Sequence, residues 1–334
     1  MQLYSNILKQ GLKITWQNKY LWFFGLFAAL FGNGGEYEIL ARGLSGNANF
    51  FPGWQRFVET GVFSSQTLNN IKQIIHEDPL SLAMILAVGL VIFILFGFLV
   101  WLVIVSQAAL VNNSANIITE KKSGKLGIQN GVAVGIKNFW PVFGLNIVIK
   151  LFIYLLFILL SLPFVLSLAQ NSMAAIDLFY VIAFIIFIPL AIALSFIIKY
   201  AIAYVVIRGS GFCAAIRDGW RLFAGNWLVS VEMAFILFFI NLLVGLALVL
   251  TVLILAVPFL FLGLIFYYIF SATGFWVVAI LALIIFLAIT VLTGAALSTF
   301  QIASWTGLFI ELINKGGTSR IARMFKKLEF RSKK

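Results

Sequence analysis

Three ionisable side chains stand inside long apolar runs of the sequence: Lys150, Lys199 and Glu232. A charge in hydrocarbon is expensive, so such groups either pair with one another or mark the route or site of a polar solute. Lys150 follows Asn138 by ~18 Å of helix and Glu232 follows Asn226 by ~9 Å. Lysine side chains lean toward a helix N-terminus, which brings the two heads toward one depth if their helices are neighbours. Asn146 lies one turn before Lys150 on the same face. Lys199, nine residues before Arg208, sits at a similar depth. Two uses follow. One is a structural ion pair with a snorkelling lysine; the other is a polar cavity, open to the cytoplasmic leaflet, for an anionic headgroup or solute. Asn241, Thr293 and Ser298 are expected as hydrogen-bond partners between helices.

No catalytic constellation accompanies these residues. The only histidine, His76, lies beside Glu77 and Asp78, and the only cysteine is Cys213, which excludes multi-His and Cys-cluster metal sites. Phosphate-binding glycine loops, HExxH and GxSxG are all missing. The expectation is a protein with no catalytic residues, no metal and no cofactor.

The composition says what solvent these charges sit in. The chain of 334 residues is 63% hydrophobic and 10% charged, with mean hydropathy +1.08. A soluble domain carries roughly 25% charged residues, so lipid is the solvent for most of this chain. The formal charge of +12 lies beside the apolar runs, where basic residues orient a membrane protein toward the cytoplasm. It therefore points to membrane lipid rather than nucleic acid. Tyr20 to Gly32 is retained as a short span, because NGGEYE after it offers no small-x-small cleavage site.

Further apolar spans are expected at about Leu80–Val111, Phe139–Leu168, Leu178–Ile207 and Asn226–Val257, with a sixth from Phe275 to Phe300 continuing toward Asn314. Apolar sequence from Trp227 to Phe270 is too long for one span. A break near Pro258, with Phe259–Phe270 re-entrant or interfacial, keeps six spans and both termini cytoplasmic. Charge supports that sidedness: residues 33–79 hold three basic and five acidic side chains, whereas Lys121, Lys122, Lys125 and Lys137 face only Glu120. Residues 315–334 form a basic cytoplasmic tail.

One motif organises the whole chain. LKQGLKITWQNKY (Leu8 to Tyr20), IQNGVAVGIKNFW (Ile128 to Trp140) and IRDGWRLFAGNW (Ile216 to Trp227) each place Gly seven residues before Asn, with aromatics following. The glycines are Gly11, Gly131 and Gly219; the asparagines are Asn18, Asn138 and Asn226. Each copy is expected to be a short amphipathic helix at the membrane surface. In the first, Ile7, Leu8, Leu12, Ile14 and Trp16 would face acyl chains and Lys9, Lys13 and Lys19 headgroups; in the third, Ile216, Trp220, Leu222 and Phe223 oppose Arg217 and Arg221. The Asn would cap the following span by accepting from its free N–H groups. The Gly would allow a neighbouring helix to come close.

ALSFIIKYAIAYVVI (Ala193 to Ile207) also aligns with ALSTFQIASWTGLFI (Ala296 to Ile310). The expected fold is all-α: a single transmembrane domain over 1–314, with six helices in three parallel hairpin repeats (about 1–117, 118–210 and 211–314). Each repeat follows one surface helix.

With Lys199 to Trp227, the repeated motifs and the closing helix Ala296 to Gly317, the chain resembles a group of bacterial six-span membrane proteins. One member of this group that it resembles is the membrane domain found ahead of some bacterial glycerophosphodiester phosphodiesterases. The resemblance implies fold and location, not activity, since that catalytic domain needs histidines and acidic metal ligands. The expected function is a non-catalytic protein of the cytoplasmic membrane that scaffolds a protein partner or associates with lipid through anionic headgroups at the cytoplasmic face. The alternative is transport or permeation of an anionic solute or headgroup through Lys150, Lys199 and Glu232.

Overall fold

The computed structural model describes residues 2–30, 79–119, 127–167 and 174–315. All eight elements among them are helices: α1 (Gln2–Gln17), α2 (Leu21–Leu30), α3 (Pro79–Ile118), α4 (Ile128–Lys137), α5 (Phe139–Ser167), α6 (Ala174–Arg208), α7 (Phe212–Gly225) and α8 (Trp227–Lys315). Backbone packing divides the chain into a unit of Met1–Glu36 with Val103–Lys334 and a unit of Tyr37–Leu102. The described part of the latter is the uncharged stretch 79–102 of α3, where Phe98 stacks on Trp101. His76, the lysines of 121–125 and the tail beyond Lys315 lie outside the described residues.

By length and composition this is a helical membrane protein. Among the described residues Ala83–Ile118, Pro189–Arg208 and Trp227–Asn314 can each cross a bilayer; the pair Ile128–Lys137 and Phe139–Phe152, bent by 67°, would be a fourth. An apolar helix satisfies its backbone internally, which is what hydrocarbon demands.

The larger unit has its core in three helix ends: 103–115 of α3, 196–206 of α6 and 298–309 of α8, all mostly buried. Aromatic side chains join the last two. Phe196 meets Trp305 at 5.3 Å, and Tyr204 meets Phe309 edge-on at 4.9 Å. Partners step forward together along both helices, so these ends run in the same direction. Around them, α1 and α2 pack on α8, and α7 packs on α6. Contacts of α1 and α2 with α8 run oppositely: Ile7 beside Gly307, Gly11 beside Ser304, Gly25 beside Ala295.

α8 corrects the expected break at Pro258. The helix passes through that proline and reverses at Phe270 (φ −122°, ψ 16°) and Ser271 (φ 57°, ψ −154°). The stretch Phe259–Phe270 is therefore the end of a continuous arm, not a re-entrant piece. Apolar helices in membranes tolerate proline because neighbouring groups satisfy the freed carbonyl. Reversal instead needs a residue outside the right-handed region, and Ser271 adopts one that costs about 1–3 kcal/mol. Gly274 then lets the returning chain pass against the Phe266 carbonyl. The two arms pair antiparallel through Phe259 with Phe286 at 5.6 Å and through the Gln301 amide donating to the Asn241 carbonyl oxygen at 2.6 Å. Each arm is ~65 Å long, and no charge interrupts Met233 to Ile310.

Glycine spacing separates structural positions from neutral ones. Side chains at Gly25 and Gly135 would strike backbone atoms of Ala295 and Val105, whereas one at Gly245 would meet nothing within 4 Å. We expect Gly25→Ala and Gly135→Ala each to cost about 1–3 kcal/mol, and Gly245→Ala to be neutral or to add up to ~1 kcal/mol. Thermal unfolding of the detergent-solubilised variants checks the ranking.

Candidate functional site

The candidate site is the set of three surface helices α1, α4 and α7 and the bends that follow them. At all three helix breaks, the second of which is a 67° bend, the same asparagine makes the same bond. The Asn18 side-chain amide donates to the Ile14 carbonyl at 3.1 Å, Asn138 to Val134 at 2.9 Å and Asn226 to Leu222 at 3.1 Å. This differs from the expected cap, because each amide donates back to the helix behind it; at Ile14 and Val134 it is a second donor to a carbonyl that already accepts the asparagine's own backbone N–H. The forward connection is made by the backbone: the carbonyls of Asn18, Asn138 and Asn226 accept from the N–H groups of Leu21, Val142 and Ser230. One residue thus ends one helix and starts the next.

Each motif glycine faces the end of another apolar helix. A methyl group on Gly11 would stand 2.6 Å from the Ser304 hydroxyl on α8; on Gly131, 2.9 Å from the Asn113 amide nitrogen on α3; on Gly219, 2.9 Å from the Ile197 carbonyl on α6. At Gly219 a Cβ would strike backbone, and at Gly11 and Gly131 it would force neighbouring side chains aside. The helix after each bend follows the same neighbour. Thr299 on α8 donates to the Leu21 carbonyl at 3.2 Å, Asn146 donates to Gln107 on α3 at 2.9 Å, and the Tyr200 and Ser230 hydroxyls bond at 2.7 Å.

With the glycine faces turned inward, the opposite faces are outward. Lys9, Leu12, Lys13 and Trp16 are exposed on α1; Arg217, Trp220 and Arg221 on α7; Ile136 and Lys137 on α4, followed by Trp140. This corrects the expected apolar faces in part. Ile7 and Ile14 are buried against the protein and Phe223 packs on Phe196 at 5.8 Å. The reason is that the helical stripe containing Gly11 also contains Ile7 and Ile14, so close packing at the glycine draws both inward.

Comparison of the chain with protein-family models, curated proteins and solved structures returns no match.

The polar residues set within the apolar runs go to different neighbours. Glu232, on the second turn of α8, accepts a hydrogen bond from the Tyr4 hydroxyl of α1. Lys199 holds its ammonium 4.6 Å from the Trp305 ring centroid and 6.0 Å from that of Phe196, a contact worth ~2 kcal/mol where water is excluded. Asn146 is buried and bonded to Gln107 and to the Val142 carbonyl. Lys150, one turn on, is half-buried. Asn241 bonds Gln301 as expected of a polar residue between helices, and Ser298 is buried. The sequence did not single out Tyr4, Gln107 or Trp305. Gln107 alone carried a signal, as an amide inside an apolar run. Among the described residues no three His, Cys, Asp or Glu side chains gather to hold a metal ion.

The direction of the asparagine bond can be read by substitution. Asn138→Ala should lose about 0.5–1.5 kcal/mol with the bond. Asn138→Asp should lose at least as much, because a carboxylate cannot donate and its charge opposes the negative end of α4. An asparagine that served the following helix as an acceptor would instead tolerate aspartate, and chemical denaturation of the two variants separates these outcomes.

Proposed function

We propose that this is a non-catalytic, lipid-associated protein of the cytoplasmic membrane, with six spans in three parallel repeats and both termini in the cytoplasm. One observation carries this most directly: three basic helices end in the same asparagine bend, turn their glycines inward and leave cations and tryptophans outward. Such a surface suits the headgroup region, where tryptophan rings prefer the interface and each nearby basic residue adds ~1 kcal/mol of attraction to anionic lipid. Sequence resemblance to the membrane domain of some bacterial glycerophosphodiester phosphodiesterases points to the same fold and location. Scaffolding of a protein partner is compatible with this arrangement. The alternative, passage of an anionic solute by way of Lys150, Lys199 and Glu232, is less well supported, since Glu232 accepts a hydrogen bond from Tyr4 and Lys199 lies over the Trp305 ring.

Mass spectrometry of lipids retained in native membrane discs tests the choice. We expect enrichment of anionic phospholipid that falls several-fold in Lys9→Gln/Lys13→Gln/Arg217→Gln/Arg221→Gln and persists in Lys150→Met/Glu232→Gln. Enrichment abolished by the second set alone would favour the solute pathway.

A further inference from the structure

The contacts between surface helices and core bury polar groups that no protein atom satisfies. Among the described residues, both amide atoms of Asn113 and the hydroxyls of Ser114 and Ser304 are buried without a hydrogen-bond partner, as are the hydroxyls of Tyr20 and Ser106. Asn113, Ser114 and Ser304 stand on helices that meet at one junction. Ile7 of α1 and Ile118 of α3 both reach the position of Gly307 on α8, within 3.3 and 3.6 Å of a Cβ built there. Ser114 lies one turn before Ile118 and Ser304 one turn before Gly307, each on the face that makes this contact. Gly11, one turn beyond Ile7, closes over the Ser304 hydroxyl. On the adjoining face of α3 the Asn113 amide nitrogen lies against Gly131, with the edge of the Phe24 ring beside it.

A buried amide or hydroxyl left without a partner costs more than a made bond returns, and hydrocarbon supplies no substitute. Several such groups at one junction therefore point to a ligand. Its chemistry follows from the set: two hydroxyls and an amide, each neutral, together able to donate and accept. No carboxylate or ammonium belongs to the set, so a bare ion would lack a counter-charge. Water bonds to about three such groups where it is built into protein interiors. We propose that ordered water occupies the junction of α1, α3, α4 and α8, bonded by Asn113, Ser114 and Ser304, and joins the first helix to the core. The site is separate from the outward cations, and its failure would leave the lipid reading intact.

The sign of a stability change tests this. If water is bonded there, Asn113→Leu removes one partner and strands the others, lowering the thermal midpoint by about 2–4 °C. Adding Ser114→Ala and Ser304→Ala should restore most of that loss, because the triple variant no longer needs the water. A rise in midpoint for Asn113→Leu, as expected of a dry amide, would overturn the proposal, as would a triple variant that merely sums its losses. Radiolytic hydroxyl labelling of the unaltered protein in native discs gives a second measurement. Phe24 and Phe196 are almost equally buried, but only Phe24 borders the junction. Phe24 should label several-fold faster, and equal or slower labelling would refute bound water there.

Discussion

The structure depends on each short helix passing into an apolar helix across one asparagine that bonds to both. Helix ends carry unsatisfied backbone groups, and next to hydrocarbon each is costly. An asparagine at the junction serves both sides, its backbone N–H and side-chain amide donating to the helix behind and its backbone carbonyl opening the helix ahead. Glycine seven residues earlier lets the surface helix lie close against a core helix. The two residues act as one device, since a well-capped bend has little use unless the helix before it is held in place.

The contacts form a sequence in space. α4 and α5 lie on the end of α3, α7 and the start of α8 lie on the end of α6, and α1 and α2 lie on the far end of α8. Each joins a surface helix to an apolar helix that precedes it in the chain, except the last, which joins the first helices to the end of the described chain. The asparagine bonds are local, but this last contact is between residues far apart in sequence. It makes the chain's beginning part of its core.

Much of this was legible in the sequence because its causes are local. Membrane class followed from charge content, and the bends followed from glycine and asparagine at a fixed spacing. Which apolar residues of α1 are exposed was not legible, because Ile7 and Leu12 have the same chemistry and only the packing at Gly11 distinguishes them. The reversal in α8 was misplaced for a related reason: Pro258 is the stronger signal of a break, yet an apolar helix absorbs it, while Phe270–Ser271 carries little local signal. Lys199 and Glu232 were recognised as exceptional in type, but their neighbours Trp305 and Tyr4 come from distant parts of the chain.

Closure of the first helix on the last is the central claim, and a disulfide tests it most directly. In a Cys213→Ser background, Ile7→Cys and Gly307→Cys test this, since the Ile7 Cγ2 stands 3.3 Å from the position of a Gly307 Cβ and the two Cβ atoms therefore lie roughly 4–5 Å apart, at the upper end of what a disulfide spans. Mild oxidation in membranes should yield an intramolecular bond that changes mobility on non-reducing gels without changing mass. Failure to cross-link, or cross-links only between two copies of the chain, would contradict the closed arrangement.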